Sequence, residues 1–200
     1  MSDHYFSGDP GSVERPQVIT ASVWGEDLTL QSASGVFSSG RLDVGTSVLF
    51  RSTAPPDRPG TYLDLGCGYG VIACALARAV PAARVWAVDV NERGLRLCAR
   101  NADALGVAER VTAGRPEDVP CDVEFDEIWS NPPIRIGMEA LHELLLTWLR
   151  RLSPDGRAVL VVGKNLGADS LQRWLVGEGF GCERLASAKG FRVLEVRRPS

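Results

Sequence analysis

Short, mostly apolar runs alternate with stretches of helical periodicity along most of the chain. The runs predict strands at 61–65, 83–89, 110–113, 125–129 and 158–162. Between them, apolar residues recur three and four positions apart and predict helices at 71–80, 92–105, 138–152 and 169–178. Strands that alternate with helices are typical of an α/β fold, a doubly wound and mostly parallel sheet with helices on both faces.

The two ends of the chain depart from this alternation. Residues 18–24 and 28–31 flank a Gly-Glu-Asp turn and predict an N-terminal β-hairpin, which a short helix at 46–51 follows. Near the other end, 183–187 and 191–197 predict an antiparallel hairpin that completes seven strands in the sheet. A Pro-rich break at 55–59 divides the single domain into a leading part, 1–56, and a core, 57–200. Residues 1–16 read as an extended arm.

A glycine-rich turn follows the central strand. Gly66, Gly68 and Gly70 are spaced two apart, unlike the G-x-G-x-x-G of dinucleotide folds. Asp64, before the turn, would repel a pyrophosphate and attract a cation, whereas Asp89 ends the next strand, where an acid can bind ribose hydroxyls. The turn alone also suits an α/β protein that binds no nucleotide. The glycine turn, Asp64 and Asp89 together favour a positively charged nucleoside without phosphate, such as S-adenosylmethionine (SAM).

Three motifs together resemble the class I SAM-dependent methyltransferases with an N-P-P signature. They lie at 64–70, 88–91 and 130–134. Further pieces, at 4–7, 34–38, 43–45, 131–137 and 189–193, are similar to the small-domain methyltransferases related to the guanine-N2 methyltransferases of small-subunit ribosomal RNA. The likeness covers nearly the whole chain. It implies a Rossmann-like fold, SAM as cofactor, ribosomal RNA or the small subunit as partner, and a segment through Asp43, Gly45 and Thr46 that lies over the cofactor.

The resemblance also implies roles for individual residues. Backbone groups of the glycine turn would hold the methionine end of SAM, with Asp64 near its ammonium group and Asp89 at its ribose. The expected cofactor-binding residues are Asp64, Leu65, Gly66, Cys67, Gly68, Gly70, Asp89, Val90, Glu117 and Asn131. The expected catalytic residues are Asn131, Pro132, Pro133 and Ile134.

The N-P-P motif suits the chemistry of an exocyclic amine. Such an amine shares its lone pair with the ring, and two acceptors aimed at its hydrogens would localise that pair. We expect the Asn131 side-chain oxygen and the Pro132 carbonyl to be these acceptors, held in place by the two prolines. No strong base is needed, because the proton can leave after transfer. By itself, N-P-P after a strand would equally be a plain turn.

The sequence departs from the family pattern at two positions. Ile134 stands where related enzymes have an aromatic ring that stacks on the target base, which leaves the base undefined. Arg115 stands where an acid commonly meets the adenine amine, so Glu117 or Asp118 would have to serve.

Composition limits the other possibilities. Two hundred residues with 44% hydrophobic and 24% charged residues suit one globular domain. No apolar run of about 18 residues and no secretory pattern is present, so we expect a cytoplasmic protein without a membrane segment. Five cysteines lack metal spacing and predict buried thiols, with no metal site. His142 has no partner in the sequence and is expected at the surface.

A net charge of −3 is unexpected for an RNA-binding protein, because phosphate contacts need cations. Candidate basic patches are 93/96/100, 150/151 and the tail cations Lys189, Arg192, Arg197 and Arg198. Ordinary solvated faces explain the first two groups equally well. Methylation of a protein glutamine or a small-molecule amine therefore stays open, as does a SAM-binding ribosome-assembly factor without catalysis. The oligomeric state is undetermined.

Overall fold

The computed structural model describes residues 16–36, 41–133 and 136–199. Its strands are β1 Pro16–Val23, β2 Glu26–Ala33, β3 Thr61–Leu65, β4 Arg84–Val88, β5 Val111–Gly114, β6 Phe125–Ser130, β7 Leu152–Gly163, β8 Gly181–Ala188 and β9 Phe191–Arg197. Its α-helices are α1 Val44–Ser52, α2 Val71–Ala79, α3 Glu92–Ala104, α4 Met138–Leu149 and α5 Ala168–Gly177.

The main sheet has seven strands in the order β5-β4-β3-β6-β7-β9-β8. Strands β3 to β7 pair in parallel, and β9 runs antiparallel to both β7 and β8. The predicted doubly wound, mostly parallel sheet is confirmed, together with the separate β1–β2 hairpin. Because β3 lies inside the sheet, the glycine turn at its carboxyl end meets the ends of both β4 and β6.

Side chains alternate between the two faces of the sheet, and each face has its own apolar core. In β3, Tyr62 belongs to the core beneath α1, α2, α3 and the hairpin, whereas Leu63 and Leu65 belong to the core beneath α4 and α5. In β6, Trp129 and Ile128 divide in the same way. The two apolar layers therefore exclude water from both faces of the central strands. The rigid strands hold the loops at their carboxyl ends in place.

One predicted boundary was wrong. The helix predicted to reach residue 152 ends at Leu149, and Leu152 already opens β7 by pairing with Phe125. On α3, the polar residues Arg93 and Asn101 are buried, whereas Ala99 is exposed. Asn101 exchanges hydrogen bonds with the backbone of Gln31 in β2, so α3 turns a polar residue toward the hairpin.

In the described part of the chain, no helix combines the length and the apolar character that a membrane crossing requires. The predicted N-terminal arm lies outside the described residues, apart from Pro16, which begins β1. The division of the domain at residue 56 stays a prediction.

Candidate functional site

The glycine turn takes a shape that side chains would obstruct. Gly66, Gly68 and Gly70 have φ angles of 76°, 53° and 85°, in the left-handed region that favours glycine. The N–H groups of residues 66 and 67 donate to the Val88 carbonyl at 2.8 and 3.0 Å, which ties the turn to the end of β4. A Cβ on Gly70 would overlap the sulfur of Cys98 on α3. The turn thus packs closely on α3 while its other side faces the carboxyl edge of the sheet.

Asp64 is fully buried beneath this turn and is only partly satisfied. Its Oδ2 accepts the Ala73 N–H at 2.9 Å, at the start of α2. Its Oδ1 is buried and has no hydrogen-bond partner among the described residues. Burial raises the pKa of Asp64 to about 8, opposed by the Ala73 N–H and assisted by the nearby Asp89 charge. An unpaired buried carboxyl oxygen at this place fits a ligand that brings a cationic donor.

Asp89 connects the glycine turn to the start of α3. One carboxylate oxygen accepts the Gly68 N–H at 2.8 Å, and the other accepts the Asn91 N–H at 2.9 Å. Asn91 in turn caps α3 by accepting the Arg93 and Gly94 N–H groups. The predicted ribose-binding acid therefore also holds the loop geometry, and each of its oxygens keeps a second lone pair for a ligand.

The N-P-P motif leaves β6 directly beside the glycine turn. Leu65 and Ser130 are register partners, and the Ser130 hydroxyl donates to the Leu65 carbonyl at 2.6 Å. A Cβ built on Gly66 would lie 3.7 Å from Pro133 Cδ. The two predicted motifs are separated along the sequence, with Leu65 and Ser130 lying 65 positions apart, yet they form adjacent walls of one site.

The orientation of the Asn131 amide is fixed by two acceptors. Its Nδ2 donates to Asp43 Oδ2 at 2.7 Å and to the Thr46 hydroxyl at 3.0 Å. A carboxylate can only accept, so the nitrogen must face Asp43, and the side-chain oxygen is left to accept from a ligand. Asp43 Oδ2 also accepts the Thr46 N–H at 3.0 Å as the N-cap of α1. The family resemblance implied that Asp43 and Thr46 lie over the cofactor, but not that they bond to Asn131.

Other predicted site residues are placed as follows. Cys67 is buried, as are Leu65 and Pro132, and Val90 is 37% exposed at the end of β4. Glu117 is exposed and ion-paired with Arg115 at 3.5 Å. Asp118 accepts the Arg115 N–H at 2.7 Å. Ile134 lies outside the described residues.

Two further expectations need correction. His142 is half-buried, not a surface residue, and its ring stacks on Trp174 with centroids 3.6 Å apart. Arg93 is buried and donates to the Ser34 carbonyl at 2.8 Å, so it belongs to no basic surface patch. The cysteines are free, and no cluster of metal-binding side chains occurs within residues 16–36, 41–133 and 136–199.

Several known proteins are similar to this chain in sequence and structure. The chain is 33% identical to the uncharacterised protein YbxB of Bacillus subtilis, over 99% of this chain and 100% of that one. It is 36% identical to the ribosomal RNA small subunit methyltransferase C of Citrobacter koseri, over 76% of this chain and 46% of that protein. The chain spans about half the length of such ribosomal RNA methyltransferases.

Among solved structures, the Thermus thermophilus 16S rRNA N2 G1207 methyltransferase, in complex with AdoMet and guanosine, has a TM-score of 0.79 and 25% identity over 94% of this chain and 51% of that one. A ribosomal protein L11 methylase of Lactobacillus delbrueckii shares the fold, with a TM-score of 0.64 and 22% identity over 80% of this chain and 85% of that one. The family model of the methyltransferase small domain matches residues 27–195. The chain therefore belongs to the methyltransferase small domain family and is a SAM-dependent methyltransferase.

Proposed function

We propose that the protein methylates an exocyclic amine of small-subunit ribosomal RNA, and that this amine is a guanine N2. The observation that carries the proposal is the fixed amide of Asn131, whose nitrogen is held by Asp43 and Thr46 beside the glycine turn. The Asn131 oxygen is thereby committed to accepting a hydrogen from a ligand at the carboxyl edge of the sheet. An amine suits this arrangement, because it donates a hydrogen bond to the Asn131 oxygen and its nitrogen can accept the methyl group.

Bound SAM supplies an electrophilic methyl carbon on a sulfonium centre. On the protein side, Asp64 Oδ1 would accept the ammonium group of the methionine moiety, which suits its buried and unpaired state. The carboxylate of Asp89 would hold the ribose. The backbone of the glycine turn would lie against the methionine moiety, while the N–H groups of Gly66, Cys67 and Gly68 stay bonded to Val88 and Asp89. Val90, exposed at the end of β4, would pack on the adenine.

The protein's part in the reaction is positioning. The Asn131 oxygen and the Pro132 carbonyl would each accept a hydrogen of the amine, turning its lone pair toward the methyl carbon. Orientation of two reactants can contribute about 7–11 kcal/mol to lowering a barrier. No general base is required, because the methylated amine is acidic enough to release its proton to water.

The comparisons support RNA over other amines. The relatives named as ribosomal RNA small subunit methyltransferases share 35–38% identity with this chain over 64–90% of its length. The structural neighbour of 25% identity is named as a guanine-N2 enzyme. A flipped or unpaired guanine would have to enter the site, since N2 is shielded in a helix.

Tritiated SAM and small ribosomal subunits that lack the mark test the proposal. We expect tritium in the RNA as N2-methylguanine with the wild-type protein and none with Asn131→Ala, while the affinity for S-adenosylhomocysteine stays within about twofold. Label in a ribosomal protein or a small amine instead of RNA would overturn the proposed substrate. Turnover by Asn131→Ala would overturn the proposed role of the amide.

The contact between Asp43 and Asn131 gives a second test. Asp43→Asn keeps one oxygen that can accept both the Asn131 amide and the Thr46 N–H that caps α1, but this oxygen is uncharged and holds the Asn131 amide less firmly. The difference between a charged and a neutral hydrogen-bond partner is about 1–1.5 kcal/mol, so kcat should fall about tenfold. KM for SAM should stay unchanged. If Asp43→Asn lowered the affinity for SAM as much as it lowers kcat, Asp43 would act on the cofactor and not on the target amine.

A further inference from the structure

The chain contains only two lysines, Lys164 and Lys189, among 22 basic residues. The fold brings them to one place, because the Lys164 N–H donates to the carbonyl of Gly190, next to Lys189, at 2.7 Å. Lys164 follows β7 and Lys189 lies in the turn between β8 and β9. Both side chains are exposed. We call this pair of residues the lysine pair.

The lysine pair borders the Asn131 side of the site. Phe191 follows the β8–β9 turn, and its ring lies 2.9 Å from a Cβ built on Gly45, which would also lie 3.0 Å from the Asp43 carboxylate. That carboxylate holds Asn131. On the other flank, a Cβ on Gly167 would lie 3.5 Å from the sulfur of Met138, the first residue of α4 after the N-P-P loop. The two segments that carry the lysine pair thus contact the Asp43 side of the site and the start of α4.

Most cations near this edge are occupied by acidic side chains. Arg184 and Arg192 both pair with Asp169, at 3.1 and 3.3 Å. In the described ranges, neither lysine forms an ion pair with a carboxylate. Their ammonium groups are therefore available to an external anion, on a protein whose net charge of −3 otherwise disfavours a polyanion.

Two exposed apolar side chains lie on the segments that carry or contact the lysine pair. Leu166, two residues after Lys164, is 53% exposed, and Met138 is 37% exposed. A cationic pair beside exposed apolar groups matches a nucleic-acid strand, which offers phosphates and flat apolar bases together. An acidic peptide would use the charges and leave the apolar residues unused.

We propose that Lys164 and Lys189 bind the backbone phosphates of the RNA strand that delivers the target base, with Leu166 and Met138 against a neighbouring base or ribose. The proposal rests on the proposed function and adds the surface by which the strand is held. Two phosphate contacts on a single strand change the slope of log K against log salt by about 0.7 each, or about 1.4 together.

A fluorescein-labelled single-stranded RNA of 12 nucleotides, spanning an unpaired guanine, is the probe. We expect the variant Lys164→Ala/Lys189→Ala to lower the salt slope by about 1.4 and the affinity about tenfold at 0.15 M salt. KM for RNA in the methylation assay should rise to a similar extent with kcat unchanged. Arg84→Ala/Arg150→Ala is the matched control, because both arginines are exposed at the opposite, amino-terminal edge of the sheet. It should leave the slope unchanged.

Failure of this inference can be told apart from failure of the proposed function. Wild-type protein that transfers no methyl group to RNA refutes both. If it methylates RNA but the lysine variant and the arginine control have equal slopes, only the lysine pair is refuted. A lysine variant that loses transfer to an acidic peptide instead would assign the surface to protein and overturn the proposal. Acetylation by an N-hydroxysuccinimide ester should also label both lysines, and bound RNA should protect both.

Discussion

The buried carboxyl group of Asp64 should make the stability of the free protein depend on pH. Asp64→Asn is the perturbation that isolates it, because the carboxamide has nearly the same shape and its oxygen can still accept the Ala73 N–H. The substitution replaces the ionisable carboxyl group by a neutral amide. Any pH dependence that differs between the two proteins then reports Asp64.

The expected magnitude follows from the difference between the folded and the unfolded pKa. Burial raises the pKa of Asp64 from 3.8 to about 8 in the folded protein. Between these values the folded state holds a proton that the unfolded state has released, so stability is fully present below about pH 4 and is lost as pH rises toward 8. The slope is about 1.4 kcal/mol per pH unit, which amounts to about 3 kcal/mol between pH 5 and pH 7.

Urea denaturation of both proteins at pH 5, 6 and 7 measures this difference. The free energy of unfolding of Asp64→Asn, minus that of the wild type, should increase by about 1.4 kcal/mol at each step. Contributions of all other titrating groups cancel in the difference. The same substitution at the exposed Asp103 controls for the change in net charge.

Parallel stability curves for the two proteins from pH 5 to pH 7 would refute the reasoning, because they would mean that Asp64 is ionised in the folded state. The cofactor provides an independent check. Its ammonium group should draw the proton off Asp64, so binding at pH 7 should release up to one proton. Calorimetry in two buffers of different ionisation enthalpy measures that release.

Two further substitutions test the packing around the site and the sheet. Gly70→Ala should destabilise the protein by about 3 kcal/mol, since its Cβ would overlap the Cys98 sulfur at a φ of 85°, whereas Gly106→Ala at a φ of 68° with nothing within 4 Å should lose only about 1 kcal/mol. Equal losses in thermal denaturation would contradict the overlap. Arg157→Leu should lose about 2–3 kcal/mol, because it strands Glu127, which is 8% exposed and 3.0 Å from the guanidinium. Adding Glu127→Gln should recover part of that loss.

The order of strands and helices was predictable because each signal was local. The glycine turn at 66–70 is followed directly by the helical periodicity of α2. The alternation of apolar runs with helical stretches then predicts a parallel sheet. The boundary at Leu149 was missed because the apolar stripe of α4 continues to Leu152, which instead pairs with Phe125 in β6. Nothing near residue 152 in the sequence carries that information.

Long-range polar contacts account for the rest of what sequence reasoning missed. The bond between Asp43 and Asn131 joins residues 88 positions apart, and the bonds of Asn101 to Gln31 span 70. The burial of Arg93 and Asn101 on α3 was not predicted, because periodicity counts apolar residues only. The sequence analysis identified one member of the lysine pair, since Lys189 is among the tail cations and Lys164 is not.

The wall of the site around Asn131 is assembled from segments that lie far apart in the sequence. Asp43 comes from the leading segment, Asn131 from the middle, and Phe191, which packs beside Gly45, from the last strand. A chain that is still being synthesised cannot complete this part of the site until residue 191 has left the ribosomal exit tunnel. A nascent copy, even one whose glycine turn has already formed, should therefore consume no methyl donor before Phe191 has emerged.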